Sequence, residues 1–239
     1  MKYKVTYFSQ PKPFSYDHLI GFVQKDFVPN KIFKDNYRSY VFTVWHNGVT
    51  YVVKNPRDKN RRIWIRFLTL FRQSEAIMAL KSMETLLGLG IRTTKPIASI
   101  EKRLFGIVTE GWMVYEYLEA VPIETPDIKK SYALLCSLHA AGFLHGNPQE
   151  EKIFLRVVND MATIDAKLTK TRPNSLDVWI EKIKFANSFI KPSDREIARA
   201  LIDKTDANYQ KALDKMTWIR LIKRPKYWFK GLFQGRQGK

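Results

Sequence analysis

"HGNPQEEKIF", residues 145–154, lies where a long helical pattern gives way to short strands. Upstream, Ile128, Tyr132, Leu135 and Leu138 recur at helical spacing from Asp127 onward and lead into "LHAAGFLHGNP", with "LH" six residues before "HG". Downstream, "KIFLR" and "MATID" read as strands, the second ending in "TIDA", residues 163–166. The remainder reads as mostly helix, with Ser193 and Glu196 at the spacing of a capping box.

The front of the chain has a different period. "SYVFTVWHNGVTYVVKN", residues 39–55, alternates aromatic and β-branched residues around Asn47-Gly48, a strong short-range hairpin signal, and Lys54 falls near the end of its second strand. In "RQSEAIMALKSMETLLGLGI" the residues Ile77, Leu80, Met83 and Leu87 mark a helix that Gly88 or Gly90 ends, with Glu75 in its first turns. "KPIASIEKRLFGIVTEGWMVYEYLEA" then reads as two or three strands, the last from Trp112 to Tyr117.

The chain has 239 residues, 45% of them hydrophobic, enough for a substantial core and far from a disordered composition. Forty-one Lys and Arg against 23 Asp and Glu give a formal charge of +18, which favours a polyanionic partner: nucleic acid, anionic lipid or phosphorylated glycan. The basic residues cluster. Residues 54–72 hold seven with one acid, Asp58, and residues 215–239 hold eight with none; both stretches are threaded with aromatics. That pattern suits a membrane interface, can also grip nucleic acid, and is met as well in a solvated basic helix whose rings pack on the body of the protein. Pro225 is expected to bend the last stretch. The lone cysteine, Cys136, cannot form an internal disulfide, no secretory signal is expected from the opening residues, which lack a continuous apolar run, and no uninterrupted apolar span of membrane length occurs in the sequence. A cytoplasmic monomer with at most peripheral membrane contact is expected.

A hairpin ending in Lys, a helix with Glu, strands, the connector "EYLEA", a long helix, "HGNPQEEKIFL" and "TIDAK" follow one another in an order that resembles the two-lobed protein-kinase-like phosphotransferase fold. The expected fold class is α+β, with a β-rich N-lobe over 1–117 and a helical C-lobe over 118–239. Within that fold the chain resembles the lipopolysaccharide core heptose(II) kinases of Gram-negative bacteria. The resemblance is carried by "NGVTYVVKNPRDKNRRIWIRFLTLFR", "WMVYEYLEAVPI", "LHAAGFLHGNP", "TIDAKLTK" and the basic, aromatic C-terminal end, and it runs from about Ile32 onward.

The resemblance implies transfer of the γ-phosphoryl group of ATP, with Mg²⁺, to a heptose hydroxyl of the lipopolysaccharide core glycolipid, at the anionic inner face of the cytoplasmic membrane, with no nucleic acid as partner. It assigns Lys54 to the α- and β-phosphates, Glu75 to an ion pair that orients Lys54, and Asp165 to Mg²⁺. Glu116, Tyr117 and Leu118 belong to a hinge, Glu116 to Ala120, that bonds adenine through its backbone. His145, Asn147 and Lys152 fall in the catalytic loop. Two positions depart from the kinase pattern: Asn147 stands where an Asp is expected, and Lys152 where a metal-binding Asn is expected. Asn147 cannot accept a proton at neutral pH and is left to orient the hydroxyl, while the Lys152 ammonium could supply charge to the phosphates in place of a second ion. Glu150 and Glu151 read either as displaced bases or as solvated loop carboxylates. An inactive kinase-like protein that binds nucleotide or partners is the competing expectation. A nucleic-acid binder would explain the charge but not the order of Lys54, Glu75, His145 and Asp165.

Overall fold

The computed structural model describes residues 2–26, 28–148, 153–158 and 160–219. Lys152, Glu150, Glu151 and the tail around Pro225 lie outside the described residues. The chain divides into two compact units, Met1–Pro122 with Lys152–Lys167, and Ile123–Glu151 with Leu168–Lys239.

The first unit is built on a six-stranded antiparallel sheet in the order β1-β5-β6-β4-β3-β2. Its strands are β1 (Lys2–Tyr7), β2 (Lys31–Asp35), β3 (Tyr40–His46), β4 (Val49–Asn55), β5 (Pro96–Leu104) and β6 (Ile107–Glu116). The β3–β4 connection is a two-residue turn at Asn47 and Gly48, with φ of 48° and 80°. Positive φ at both central residues makes a turn whose twist matches the paired strands, which is why Asn-Gly sits there. Phe105 and Gly106 do the same between β5 and β6, at 49° and 80°. Residues 95–120 therefore form two strands, and β6 starts at Ile107 instead of Trp112, because this turn lets pairing run through Leu104↔Ile107.

Both faces of the sheet are covered. α1 (Tyr16–Gln24), capped by Ser15, sends Leu19, Ile20 and Phe22 into a core with Phe14, Phe42, Tyr51, Val53, Trp112 and Val114. On the opposite face Ala76, Leu80 and Met83 of α4 (Glu75–Gly88) pack on Met113. Ser74 starts α4 by accepting a hydrogen bond from Ile77 N at 3.3 Å. Gly90, at φ 73°, reverses the chain after it, with Ile91 N reaching back to Leu86 O at 2.9 Å. Leu80 is fully buried, which contributes about 1.5–3 kcal/mol through the area it removes from water. The alternation of strand faces decides where Lys54 goes. Tyr51 and Val53 point to the α1 core, so Lys54, next along β4 and paired with Met113 across the sheet, points to the α4 face.

Between β4 and α4, α2 (Arg57–Arg61) and α3 (Ile63–Leu68) carry the first basic, aromatic run. The boundary expected at 117/118 falls later, after Pro122, and residues 152–167 return to the first unit. Backbone pairing is the reason. β9 (Phe154–Val157) pairs with β7 (Val121–Pro122) and with β10 (Asp160–Thr163), and Arg92 bridges to Ala162 in parallel.

The second unit is mainly helical. A 3₁₀ turn (Thr125–Asp127), held by reciprocal bonds between Glu124 and Asp127, starts α5 (Ile128–Ala140). α6 (Leu176–Ser188), α7 (Pro192–Ala200) and a helix from 207 onward follow. Leu135, Leu138, Ile183, Phe185 and Phe189 are buried in this unit, and β8 (Phe143–Leu144) pairs with β11 (Thr169–Lys170). The expected capping box of Ser193 and Glu196 does not form. Pro192 takes the first helical position, where its fixed φ suits a helix start, so Ser193 lies inside α7 and Lys191 is the N-cap residue. No described helix is long and apolar enough to cross a membrane.

Candidate active site

Lys54 and Asp165 meet in the first unit. Lys54 Nζ donates to Asp165 Oδ1 at 2.6 Å, and both line a cavity of about 300 Å³ on the α4 face of the sheet. Burial pulls the Lys54 ammonium down, but the Asp165 carboxylate, with a smaller contribution from Tyr115, more than offsets it, so the pKa ends above the ordinary lysine value. Tyr115 is pushed up to about 12, chiefly by burial, so its phenol stays protonated beside the pair.

Stability alone gives little reason for this pair. The Lys54 side chain is 21% exposed and that of Asp165 55%; a pair so open on its carboxylate side is screened by water, and its Coulomb gain, about 1 kcal/mol as for exposed pairs, is set against the cost of burying the ammonium. Asp165 also adopts a left-handed backbone, φ 52°. Held strain of that kind costs of order 1–3 kcal/mol and clusters at functional sites, although Asp tolerates it better than most residues.

Glu75 lines the same cavity but pairs elsewhere. Its Oε2 accepts from Lys59 at 3.0 Å and Lys167 at 3.4 Å, and its Oε1 accepts from Arg72 at 3.1 Å. Burial raises its pKa, but the hydrogen bond and charge of Lys59, with Lys167 and Arg72, lower it further, for a net depression. The ion pair that the resemblance assigns between Glu75 and Lys54 is replaced in this structure by Lys54–Asp165. The reason is competition: α2, the turn after α3 and the segment after β10 each bring a cation to Glu75.

Arg38, in the β2–β3 turn, also lines the cavity, where glycine-rich loops are common in kinases. This turn is fixed without glycine. Asn36 Oδ1 accepts from Arg38 N and Ser39 N at 3.0 and 3.1 Å, and Asp58 N donates to Arg38 O at 3.0 Å. Arg57 clamps it further through Asp35 at 2.6 Å and Asn36 O at 3.0 Å. Arg38, Lys54, Lys59 and Lys167 thus stand against Asp58, Glu75 and Asp165 around the cavity, a cationic excess suited to a phosphorylated ligand.

Glu116 ends β6, with its N–H bonded to Lys95 O and its carboxylate to Lys95 Nζ at 2.9 Å. Tyr117 N donates to Thr50 O at 2.8 Å, and the Tyr117 ring lies parallel to Phe33 at 6.0 Å. Leu118 follows, half-buried, in irregular backbone.

His145 and Asn147 belong to the second unit. His145 is fully buried, whereas Asn147 is exposed. The backbone before Asn147 is held by Glu181 of α6. Glu181 accepts from His145 N at 2.8 Å and Gly146 N at 2.6 Å, and its Oε2 lies 3.0 Å from His139 Nε2. Burial raises the Glu181 pKa, but the bonds from His139, His145 and Gly146 hold it below the usual glutamate value. Gly146 has φ 88°, a region open to glycine without strain. The sequence reading missed Glu181. Its signal was an acid on the buried stripe of α6, three residues after Val178 and four before Phe185.

Among the described residues no three His, Cys, Asp or Glu gather as a metal centre. Asp165 nonetheless suits Mg²⁺, which takes one or two carboxylates and completes its shell with nucleotide phosphates and water.

No family model and no curated protein sequence matches the chain. Among solved structures it is similar to WaaP in complex with acyl carrier protein, at 14% identity over 89% of this chain and 97% of that one, with a TM-score of 0.51. Weaker likenesses are to spectinomycin phosphotransferase APH(9)-Ia with ADP and spectinomycin (7% identity, 84% of each chain, TM-score 0.49) and to an apo thermostable mutant of aminoglycoside phosphotransferase APH(4)-Ia (8%, 80% and 84%, 0.46). The likeness to WaaP is one of fold: the chain has the α+β, kinase-like fold, β-rich toward its N-terminus and helical toward its C-terminus.

Proposed function

We propose that the chain is an ATP-dependent kinase that phosphorylates a heptose of the lipopolysaccharide inner core at the cytoplasmic face of the inner membrane. The observation that carries the reading is the Lys54–Asp165 pair, a left-handed aspartate opposite a strand lysine in a cationic cavity, which stability does not explain. The acceptor is suggested by the sequence resemblance to heptose(II) kinases and agrees with the basic surface of the chain.

In this reading Lys54 leaves Asp165 for the nucleotide's phosphates, with Arg38 as a further phosphate ligand in the β2–β3 turn. Asp165, so released, would hold Mg²⁺, whose chemistry is to neutralise charge on the β- and γ-phosphates. Lys59 and Lys167 keep Glu75 charged and fix the start of α4. Asn147, held in place through Glu181, Gly146 and His145, would direct the acceptor hydroxyl by hydrogen bonding. Phosphoryl transfer leans on positioning and charge, so an amide in place of a base forfeits about 10²- to 10⁴-fold and not the whole reaction.

The altered Asn147 also favours a second reading, an inactive kinase-like protein that still binds nucleotide. Transfer of labelled phosphate from ATP to purified truncated lipopolysaccharide separates the two: incorporation supports the kinase, and nucleotide binding without incorporation supports the inactive relative.

A further inference from the structure

α3 and the turn that follows it turn several large apolar side chains outward. Ile63 is 81% exposed, Trp64 68% and Phe71 79%. They are assembled as a ridge: Trp64 stacks on Phe67 at 6.2 Å, and Phe67 meets Phe71 edge-on at 5.9 Å. The β5–β6 turn extends it with Phe105, 91% exposed. A Cβ on Gly106 would come 3.3 Å from Leu70 Cδ2, so that turn sits against the end of the ridge.

The ridge stands on fixed backbone. Asn60 exchanges side-chain bonds with both backbone groups of Gly111 at 3.2 Å, and Thr69 Oγ1 accepts from Val108 N at 2.8 Å. Next to it opens a second cavity, of about 620 Å³, whose wall carries Arg57, Arg61, Arg66 and Lys102. Glu110 is the acid in that wall, and its Oε1 already accepts from Asn55 and Trp112. Leu104 lines this cavity and precedes Phe105, so the cations and the ridge share an edge.

Charge selects the occupant. The C-terminal stretch 215–239 has eight basic residues and no acid, and a second copy of the chain brings another +18; both are repelled. Exposed Trp and Phe beside arginines match the boundary between headgroups and acyl chains of an anionic bilayer.

We propose that α3 and the β5–β6 turn are a membrane-docking surface: Trp64, Phe67, Phe71 and Phe105 enter an anionic bilayer, and the Arg57, Arg61, Arg66 and Lys102 cavity receives a lipid phosphate headgroup. The inference rests on the membrane part of the functional reading and supplies the surface that reading lacks.

The test is flotation of the full chain on phosphatidylcholine vesicles with and without phosphatidylglycerol. Parallel samples measure thermal stabilisation by ATP with Mg²⁺. Wild type is expected to float with the anionic vesicles alone. Arg61→Gln and Arg66→Gln should each weaken binding about fivefold, from the usual worth of a cation near an anionic surface. Trp64→Ser/Phe71→Ser/Phe105→Ser should weaken it more than about tenfold, through the apolar area no longer buried. All variants should keep the wild-type response to nucleotide. Equal flotation of wild type and the triple variant overturns the proposal, whatever nucleotide does. Flotation that follows the variants, in a protein indifferent to nucleotide, keeps the docking surface and removes the kinase. Stabilisation by inorganic phosphate through Arg61 and Arg66, without vesicle binding, overturns the lipid headgroup in favour of free phosphate. A tryptophan fluorescence shift with polyglutamate but not with vesicles, lost in Trp64→Ser, overturns the membrane in favour of an acidic protein.

Discussion

Glu181→Gln isolates the support under the catalytic loop. The Glu181 side chain is 6% exposed, and its two oxygens face three partners: the N–H groups of His145 and Gly146, and His139 Nε2. An amide keeps one oxygen. If that oxygen replaces Oε2, the new NH₂ faces the Gly146 N–H; if it replaces Oε1, the NH₂ faces His145 N–H and His139. Either way a donor loses its acceptor, the part-buried Gly146 N–H or the buried His145 N–H, which costs about 1–3 kcal/mol, and the remaining bonds lose their charge assistance, roughly another 1 kcal/mol. A total near 2–4 kcal/mol lowers Tm by about 4–16 °C for a chain of this size, at about 2–4 °C per kcal/mol. The pH dependence supplies a second signature. Because the folded-state pKa is depressed, this contribution is fully present above the ordinary glutamate value of 4.5 and is lost as pH falls through the lower folded value. Calorimetry of wild type and Glu181→Gln from neutral pH down through that range should show the gap between them narrowing in acid. A variant within about 0.5 kcal/mol of wild type at neutral pH, or a gap independent of pH, refutes the assigned role of Glu181.

ATP with Mg²⁺ at a hundred times its Kd should stabilise wild type by about 2.7 kcal/mol; Lys54→Met should abolish most of that shift and Asp165→Ala its metal-dependent part, both read by thermal unfolding. Gly146→Ala should cost about 1–2 kcal/mol, because a Cβ is strained at φ 88°, and chemical denaturation should read it. Asn147→Asp should raise phosphate transfer, and its combination with Lys152→Asn should be non-additive in turnover, because both would act on one transition state.

The elements written in local periodicity were legible in the sequence. Asn47-Gly48 set the register that brings Lys54 to its face of the sheet, and Ile77, Leu80 and Met83 marked α4. Groups joined over long sequence distances were not. Glu75 attracted attention as a partner for Lys54, but no local pattern reveals that Lys59 and Lys167 converge on it beside the neighbouring Arg72. β1 is a similar case. Residues 2–7 added nothing to the resemblance, yet they form a sheet edge on β5, pairing Lys2 with Arg103 and Tyr7 with Ala98. Its alternation is too short to say where it pairs. Glu181 was overlooked because a single acid in a helix is usually solvated, and only burial distinguishes it.

Transfer of the γ-phosphoryl group from ATP to truncated lipopolysaccharide exposing its heptose, followed in wild type and Asp165→Ala, tests the central claim most directly. The account predicts slow, metal-dependent incorporation into the glycolipid by wild type and none by Asp165→Ala. Incorporation unchanged by Asp165→Ala, or none by wild-type protein that binds ATP with Mg²⁺, contradicts it.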